Sequence, residues 1–199
     1  MLSHLCLATA ALALVWRKQQ QQKLQEQQHH PVSHEHTTIR NAQPKDIVSI
    51  LSIYSTHAND PYSIVTFEEQ APTQNEMEKR RQKVLANGDP YFVAVCNSDI
   101  VGFAYCHPFR ERTAYRFATE LSVYVAKNGQ GRGVGKKLML ALIQHCQLHE
   151  KKSMIAVLGS EKLQTFYHQF GFQTVGCLHS VGYKPKVGQI DRWIMELLL

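Results

Sequence analysis

Val123-Tyr124-Val125-Ala126-Lys127-Asn128-Gly129-Gln130-Gly131-Arg132-Gly133-Val134-Gly135-Lys136-Lys137 decides how the rest of the chain is read. A strand of β-formers ends, four glycines fall within seven residues, and an apolar run at helical spacing begins. Glycine lets the backbone approach a ligand with no Cβ between them. The N-terminus of the following helix offers unpaired N–H groups and the positive end of a dipole, which suits a phosphate. Arg132, Lys136 and Lys137 add positive charge. Two familiar phosphate motifs are excluded. A Walker A loop needs Gly where Gln130 stands and Ser or Thr where Lys137 stands. The dinucleotide fingerprint GxGxxG fails because Lys136 occupies its third glycine position. A loop that was merely tight would not also need Gln130, Arg132 and Lys136.

Working outward, Thr37 to Arg40 reads as a short strand, and Pro44-Lys45-Asp46 opens a helix carrying Ile47, Ile50, Leu51 and Tyr54 at helical spacing. Thr73-Gln74-Asn75-Glu76 matches a capping box and predicts a second helix over 74–86. Tyr91 to Cys96 and Ile100 to His107 form a hairpin about Asn97-Ser98-Asp99. Strands are expected at Arg116–Val125, Ser153–Leu158, Gln173–Tyr183 and Ile190–Leu197, with helices at Val134–Leu148 and Glu161–Phe170. Hairpins mixed with crossover helices predict an α/β (α+β) fold on a mixed sheet.

Composition breaks near residue 37. Before it lie seven Gln and five His, including Gln19 to Gln22, His29 and His30. Residues 1–36 read as a low-complexity tail that cannot bury enough apolar surface to order itself, and 37–199 as one domain. The apolar stretch Leu5 to Trp16 is shorter than the ~20 residues a spanning helix needs. Its charges, Arg17 and Lys18, follow the run instead of preceding it as in a signal peptide. Targeting or membrane contact through this segment stays open. No ligand geometry fixes the tail's His and Gln as a metal site, and no metal is expected.

The net charge is +6, with Lys plus Arg 22 and Asp plus Glu 16, which favours anionic partners. No basic stripe interleaves with aromatics, so nucleic acid is not expected as a partner. The five cysteines include no CxxC pair, which argues against a disulfide framework and for a reducing, cytoplasmic setting.

Gln130-Gly131-Arg132-Gly133-Val134-Gly135 resembles the Gln/Arg-x-x-Gly-x-Gly/Ala pyrophosphate signature of the GCN5-related N-acetyltransferases (GNAT). Tyr167-His168-Gln169-Phe170-Gly171-Phe172 is similar to the Tyr-x-x-x-Gly-Phe of that superfamily. Within it, Val65-Thr66-Phe67-Glu68, Gly102-Phe103-Ala104-Tyr105, Ala114-Tyr115-Arg116, Thr119 to Val125 and Val181-Gly182-Tyr183-Lys184 resemble the phosphinothricin acetyltransferase-like branch. The resemblance covers about 39–198. It implies a GNAT fold, acetyl-CoA as co-substrate, and transfer of acetyl to the free amine of a small amino acid or analogue. A protein or peptide N-acetyltransferase and an inactive acyl-CoA-binding module are the alternatives. A homodimer is compatible with it.

Such a reaction needs a base for the amine, because an α-ammonium has a pKa of about 8. It also needs donors for the oxyanion and a proton for the departing thiolate. Glu120, in an otherwise apolar strand, is the candidate base, and burial there would raise its pKa. The resemblance implies the same role. Tyr167 is the candidate acid, where the branch usually has His. A backbone N–H of Val123, Tyr124 or Val125 is the expected oxyanion donor, and the resemblance implies that this strand splays from the next one and pairs with the pantetheine arm. Gln130, Gly131, Arg132, Gly133, Val134, Gly135 and Lys136 are expected to hold the pyrophosphate. The resemblance implies that Phe67 and Tyr115 wall the acceptor pocket. One of Arg110, Arg112 and Arg116 is expected to hold an acceptor carboxylate, with strand alternation choosing which one points inward. Two features depart from the branch. The segment Gly159 to Lys162 is shorter than the branch's loop and lacks its Asn, and Gln189 stands where the branch has Trp.

Overall fold

A computed structural model describes residues 37–199. The expectations for residues 1–36, including Leu5 to Trp16, lie outside the described residues. Along the chain come β1 (Thr38–Asn41), α1 (Ile47–Ala58), α2 (Gln74–Ala86), β2 (Tyr91–Cys96), β3 (Asp99–Pro108) and β4 (Ala118–Val125). Then follow α3 (Val134–Leu148), β5 (Ser153–Leu158), α4 (Gln164–His168), β6 (Gln173–Lys184) and β7 (Gly188–Leu198). The strands form one sheet in the order β1-β2-β3-β4-β5-β7-β6. Neighbours are antiparallel except β4 and β5, which run parallel and are joined through α3.

Local signals set most boundaries. Thr73 Oγ1 accepts the Glu76 N–H at 3.2 Å and starts α2, a cap worth about 1 kcal/mol. Pro44 opens a single 3-10 turn (Pro44–Asp46) that leads into α1, where its missing N–H costs nothing. Arg40 grips the buried Asp46 carboxylate with two bonds of 2.6 and 2.9 Å, which holds that carboxyl below the usual range. Asn97 and Ser98 both take positive φ, 48° and 72°. Their twist matches that of the flanking strands and closes the β2–β3 hairpin in two residues.

Alternation along the strands sorts side chains by size. Val93, Phe103 and Tyr124 face α1 and α2, where Ile47, Ile50, Met77 and Val84 cover them. The small Ala94 and Ala104 face α3, whose Leu138, Met139 and Leu142 pack down on them. Gly102 belongs to this second face. A Cβ there would lie 2.9 Å from the Tyr124 carbonyl oxygen and 3.1 Å from Leu138, so the close approach of α3 depends on its absence.

Two expectations are corrected. The strand read from Arg116 starts at Ala118. Residues 109–117 form a loop around a 3-10 turn at Thr113–Tyr115, closed by the Arg116 N–H on the Thr113 carbonyl. The helix read over 161–170 divides into a 3-10 turn at Glu161–Leu163 and the short α4.

Candidate active site

β4 and β5 pair only from Ala118 to Glu120, against Ser153 to Ile155. On its other edge β4 stays paired with β3 as far as Val125. From Leu121 onward the β5-facing backbone of β4 has no strand partner, and a seam opens in the sheet. Of the three residues expected to present backbone N–H groups, Val123 and Val125 turn theirs to that seam, while the backbone of Tyr124 is turned to β3, as the alternation from the Ala126 N–H on the Val101 carbonyl requires.

At its far end stands the glycine turn. Gly133 caps α3 at φ 76° and Gly131 sits at φ 72°, both in the left-handed region that glycine adopts without strain. A Cβ at either residue would meet nothing within 4 Å, so both open onto solvent-sized space. The first-turn N–H groups of α3 face the same way by helix geometry. Gln130 Nε2 donates to the Val125 carbonyl at 3.4 Å, and Arg132 donates to the Asn128 carbonyl at 3.1 Å, ordering the turn. Lys136 is exposed beside them, while the Val134 side chain is buried in the core. This cradle fits an extended phosphate group. Gly135 differs from its neighbours. A Cβ there would lie 3.4 Å from the Phe166 ring, so the missing side chain makes room for an aromatic neighbour, while the Gly135 N–H belongs to the first turn that faces the cradle.

Glu120 is the last β4 residue paired with β5, and its side chain is 25% exposed. Across β3 it is in register with His107, and Ser122 with Tyr105. His107 Nδ1 lies 3.1 Å from the Pro108 carbonyl oxygen, which can only accept, so Nδ1 carries the proton. In the neutral ring Nε2 then carries the lone pair, 3.9 Å from Glu120 Oε1. His107 also lines a cavity of about 470 Å³ roofed by α1 and α2, with Tyr54, Arg80, Tyr91, Tyr105 and Glu111 among its walls. Burial raises the phenol pKa of Tyr54 and Tyr105, so both stay protonated as hydrogen-bond donors. Arg80 reaches Glu68 at 2.6 Å and Glu76 at 3.3 Å.

Residues 50–172 match the model of the acetyltransferase (GNAT) family. The chain belongs to that family. It is 36% identical over 165 residues to the phosphinothricin N-acetyltransferase of Alcaligenes faecalis, covering 81% of this chain and 80% of the relative. It is 29% identical to the L-methionine sulfoximine/L-methionine sulfone acetyltransferase of Salmonella typhimurium, covering 79% of this chain and 89% of the relative. In three dimensions it is similar to a GNAT phosphinothricin acetyltransferase from Sinorhizobium meliloti solved in complex with acetyl-CoA. The TM-score is 0.78 at 33% identity, over 82% of this chain and 88% of that one.

Within this GNAT domain, Tyr167 projects from α4 into the core on the α3 side, with Phe166 and Phe172 edge-on at 5.4 Å each. Burial pushes its phenol pKa far above the ordinary value. Glu120 faces the α1–α2 side, so the two candidate catalytic groups lie on opposite faces of β4 with the seam between them. The aromatic pair expected to wall the acceptor pocket lies outside this cavity. The Phe67 ring packs against Gly182 and carries the Arg192 guanidinium 3.7 Å from its centroid, and Tyr115 stands exposed against Phe109. Neither lines the cavity. Arg110, Arg112 and Arg116 are exposed on the 109–117 loop, where strand alternation does not apply. Arg110 covers the Phe109 ring and Arg116 the Phe117 ring. The guanidinium that does line the cavity is Arg80, from α2.

Sequence reasoning missed Tyr54, Arg80, Tyr105 and His107. Two of them carried a signal. Tyr105 and His107 share the parity of Phe103 on β3, and strand register aligns His107 with Glu120. Nothing local marks Arg80, which reaches the cavity only because α2 folds over the sheet.

Proposed function

We propose that this chain transfers the acetyl group of acetyl-CoA to the free α-amine of a compact amino acid or amino-acid analogue. The observation that carries the reading is the seam that opens at Glu120. It has the glycine cradle at one end and a cavity with both charge signs at the other. Acetyl-CoA supplies the acetyl group as a thioester. Gly131, Gly133 and the first turn of α3 would hold its pyrophosphate, and the unpaired edge of Val123–Val125 would lie along its arm. Glu120 takes the proton from the ammonium, directly or through a water. The lone pair of His107 Nε2 then offers that proton an exit towards the cavity. Tyr167 serves as a hydrogen-bond donor to the departing sulfur, which takes its proton from the nitrogen of the collapsing tetrahedral adduct. A thiol has a pKa of about 8.5 and an ordinary phenol about 10, so complete transfer from Tyr167 is uphill by more than about 2 kcal/mol. The relatives named for amino-acid analogues support this acceptor class.

A cavity of about 470 Å³ suits a small molecule. Arg80 is the guanidinium placed to receive an acceptor carboxylate, and Glu111 adds a negative group on the same wall. Thiol release from acetyl-CoA tests the reading. Amino acids are expected to be acetylated at least about tenfold faster than the matching amines without a carboxylate, the loss of one charged hydrogen bond. Arg80→Ala should erase that preference. A peptide N-terminus acetylated faster than every free amino acid would reject this acceptor class.

Residues 1–36 are proposed to be dispensable for transfer, since the family match and every site residue lie beyond them. A chain beginning at Thr37 is expected to keep kcat and KM within about twofold of the full chain, an effect of ~0.4 kcal/mol. A folded chain of that length with no acetyl transfer would overturn the boundary. Among the described residues, Cys96, Cys106, Cys146 and Cys177 carry reduced thiols. Among the described residues no helix is long and apolar enough to cross a membrane.

A further inference from the structure

Away from the seam, the β6–β7 hairpin brings together three donor atoms that the reaction does not use. Between Leu178 and Gly182 the register of β6 against β7 is interrupted. Three residues, 179–181, bulge opposite Asp191. Ser180 takes φ 56° in the bulge, and its N–H donates to Asp191 Oδ1 at 2.8 Å. That bond fixes the carboxylate and turns Oδ2 towards His179, whose Nδ1 lies 3.2 Å away. Cys177, two residues before His179, places its Sγ 3.8 Å from the same Nδ1. Ligand atoms of all three residues lie within 4.8 Å of one another.

We propose that Cys177, His179 and Asp191 form a binding site for a borderline divalent cation of the Zn²⁺ type, with a fourth position left to solvent. The donor set is one sulfur, one imidazole nitrogen and one carboxylate oxygen, the ligands Zn²⁺ takes. Zinc bonds of roughly 2.0–2.3 Å at tetrahedral angles separate neighbouring donors by roughly 3.3–3.6 Å. The two spacings of 3.2 and 3.8 Å bracket that range before any ion pulls the side chains in. A simple His–Asp surface pair explains one of them and leaves the thiol unaccounted for. The bulge supplies the supporting contact that orients a metal-bound carboxylate, through the Ser180 N–H. Asp191 alternates with Arg192, whose guanidinium binds the Ile64 carbonyl and the Phe67 ring on the other face of β7. The site therefore lies on the face turned away from that loop, and its ion would cross-link β6 to β7 without touching Glu120 or the glycine cradle.

Cobalt is the probe, because a thiolate ligand gives Co²⁺ a near-ultraviolet charge-transfer band. The full chain, kept reduced with a phosphine, is titrated with Co²⁺ and then with Zn²⁺. A thiolate band that saturates and is displaced by Zn²⁺ is expected. Cys177→Ser should abolish it. His179→Gln and Asp191→Asn should each weaken Zn²⁺ binding by at least roughly tenfold, the scale of losing a group that supports a metal. All three residues are at least partly exposed, so these variants should keep the wild-type melting temperature when metal-free. The absence of a band in the wild-type chain would overturn the site. So would a band that survives Cys177→Ser, since it would belong to Cys6 and the tail histidines. Neither outcome depends on acetyl transfer.

Discussion

Glu120→Gln is expected to lower kcat by roughly 10²–10⁴, the range for a positioned acid or base, while acetyl-CoA affinity stays unchanged. The substitution keeps the size and the polar contacts of the side chain and removes only its capacity to hold a proton. The affinity should not move because the glycine cradle is built from Gly131, Gly133 and the start of α3, none of which touches Glu120. His107→Gln should cost less. It removes the Nε2 lone pair 3.9 Å away, but Glu120 is 25% exposed and still exchanges protons with water. Stopped-flow thiol release on the purified variants, with calorimetry for acetyl-CoA, separates the two effects. Wild-type turnover in Glu120→Gln would remove the base from this site.

Gly133→Val should weaken acetyl-CoA binding by roughly 10–100-fold, because a hydrogen bond to a charged phosphate oxygen is worth about 1.5–3 kcal/mol. The new side chain enters space where no protein atom lies within 4 Å, so the fold pays only for the backbone. A β-branched residue at φ 76° costs about 1–2 kcal/mol, or a few degrees of melting temperature. Gly88→Val isolates that strain. Gly88 has φ 75°, has nothing within 4 Å of its Cβ, and closes the end of α2 instead of the cradle. The two variants should lose the same stability, and only Gly133→Val should lose acetyl-CoA. Equal affinity in both would leave the cradle a mere turn. Gly135→Val is the opposite case, since its methyls would meet Phe166 and cost stability first.

What could be read in the sequence was whatever local chemistry determines. Thr73 marks the start of α2, Asn97-Ser98 the hairpin, and the glycines the phosphate turn, each through a bond or a φ within a few residues. Glu120 was legible because a single carboxylate in an apolar strand has few other uses. The acceptor side was not. Arg80 and Glu120 are 40 residues apart in sequence, and only the packing of α2 on the sheet brings Arg80 to the cavity near His107. Arg116 and Phe117 misled for the converse reason. They extend the alternation of the strand that follows, yet the Arg116 N–H bonds back to the Thr113 carbonyl and the strand begins only at Ala118. The seam was legible only as an implication of the resemblance, since pairing that stops at Glu120 leaves no mark on the residues that follow.

The last strand of the chain, β7, does not lie at an edge. It fills the slot between β5 and β6. While the polypeptide is still emerging from the ribosome, β5 and β6 therefore have no hydrogen-bonding neighbour on the sides that β7 will occupy. Ile155, Ala156 and Leu158 would wait beside an empty lane until Gly188 to Leu198 arrive. Closure of the sheet thus waits for β7 to be made. The nascent protein is most exposed to chaperones, and to strand exchange with a second copy, while β5 and β6 have been made and β7 has not.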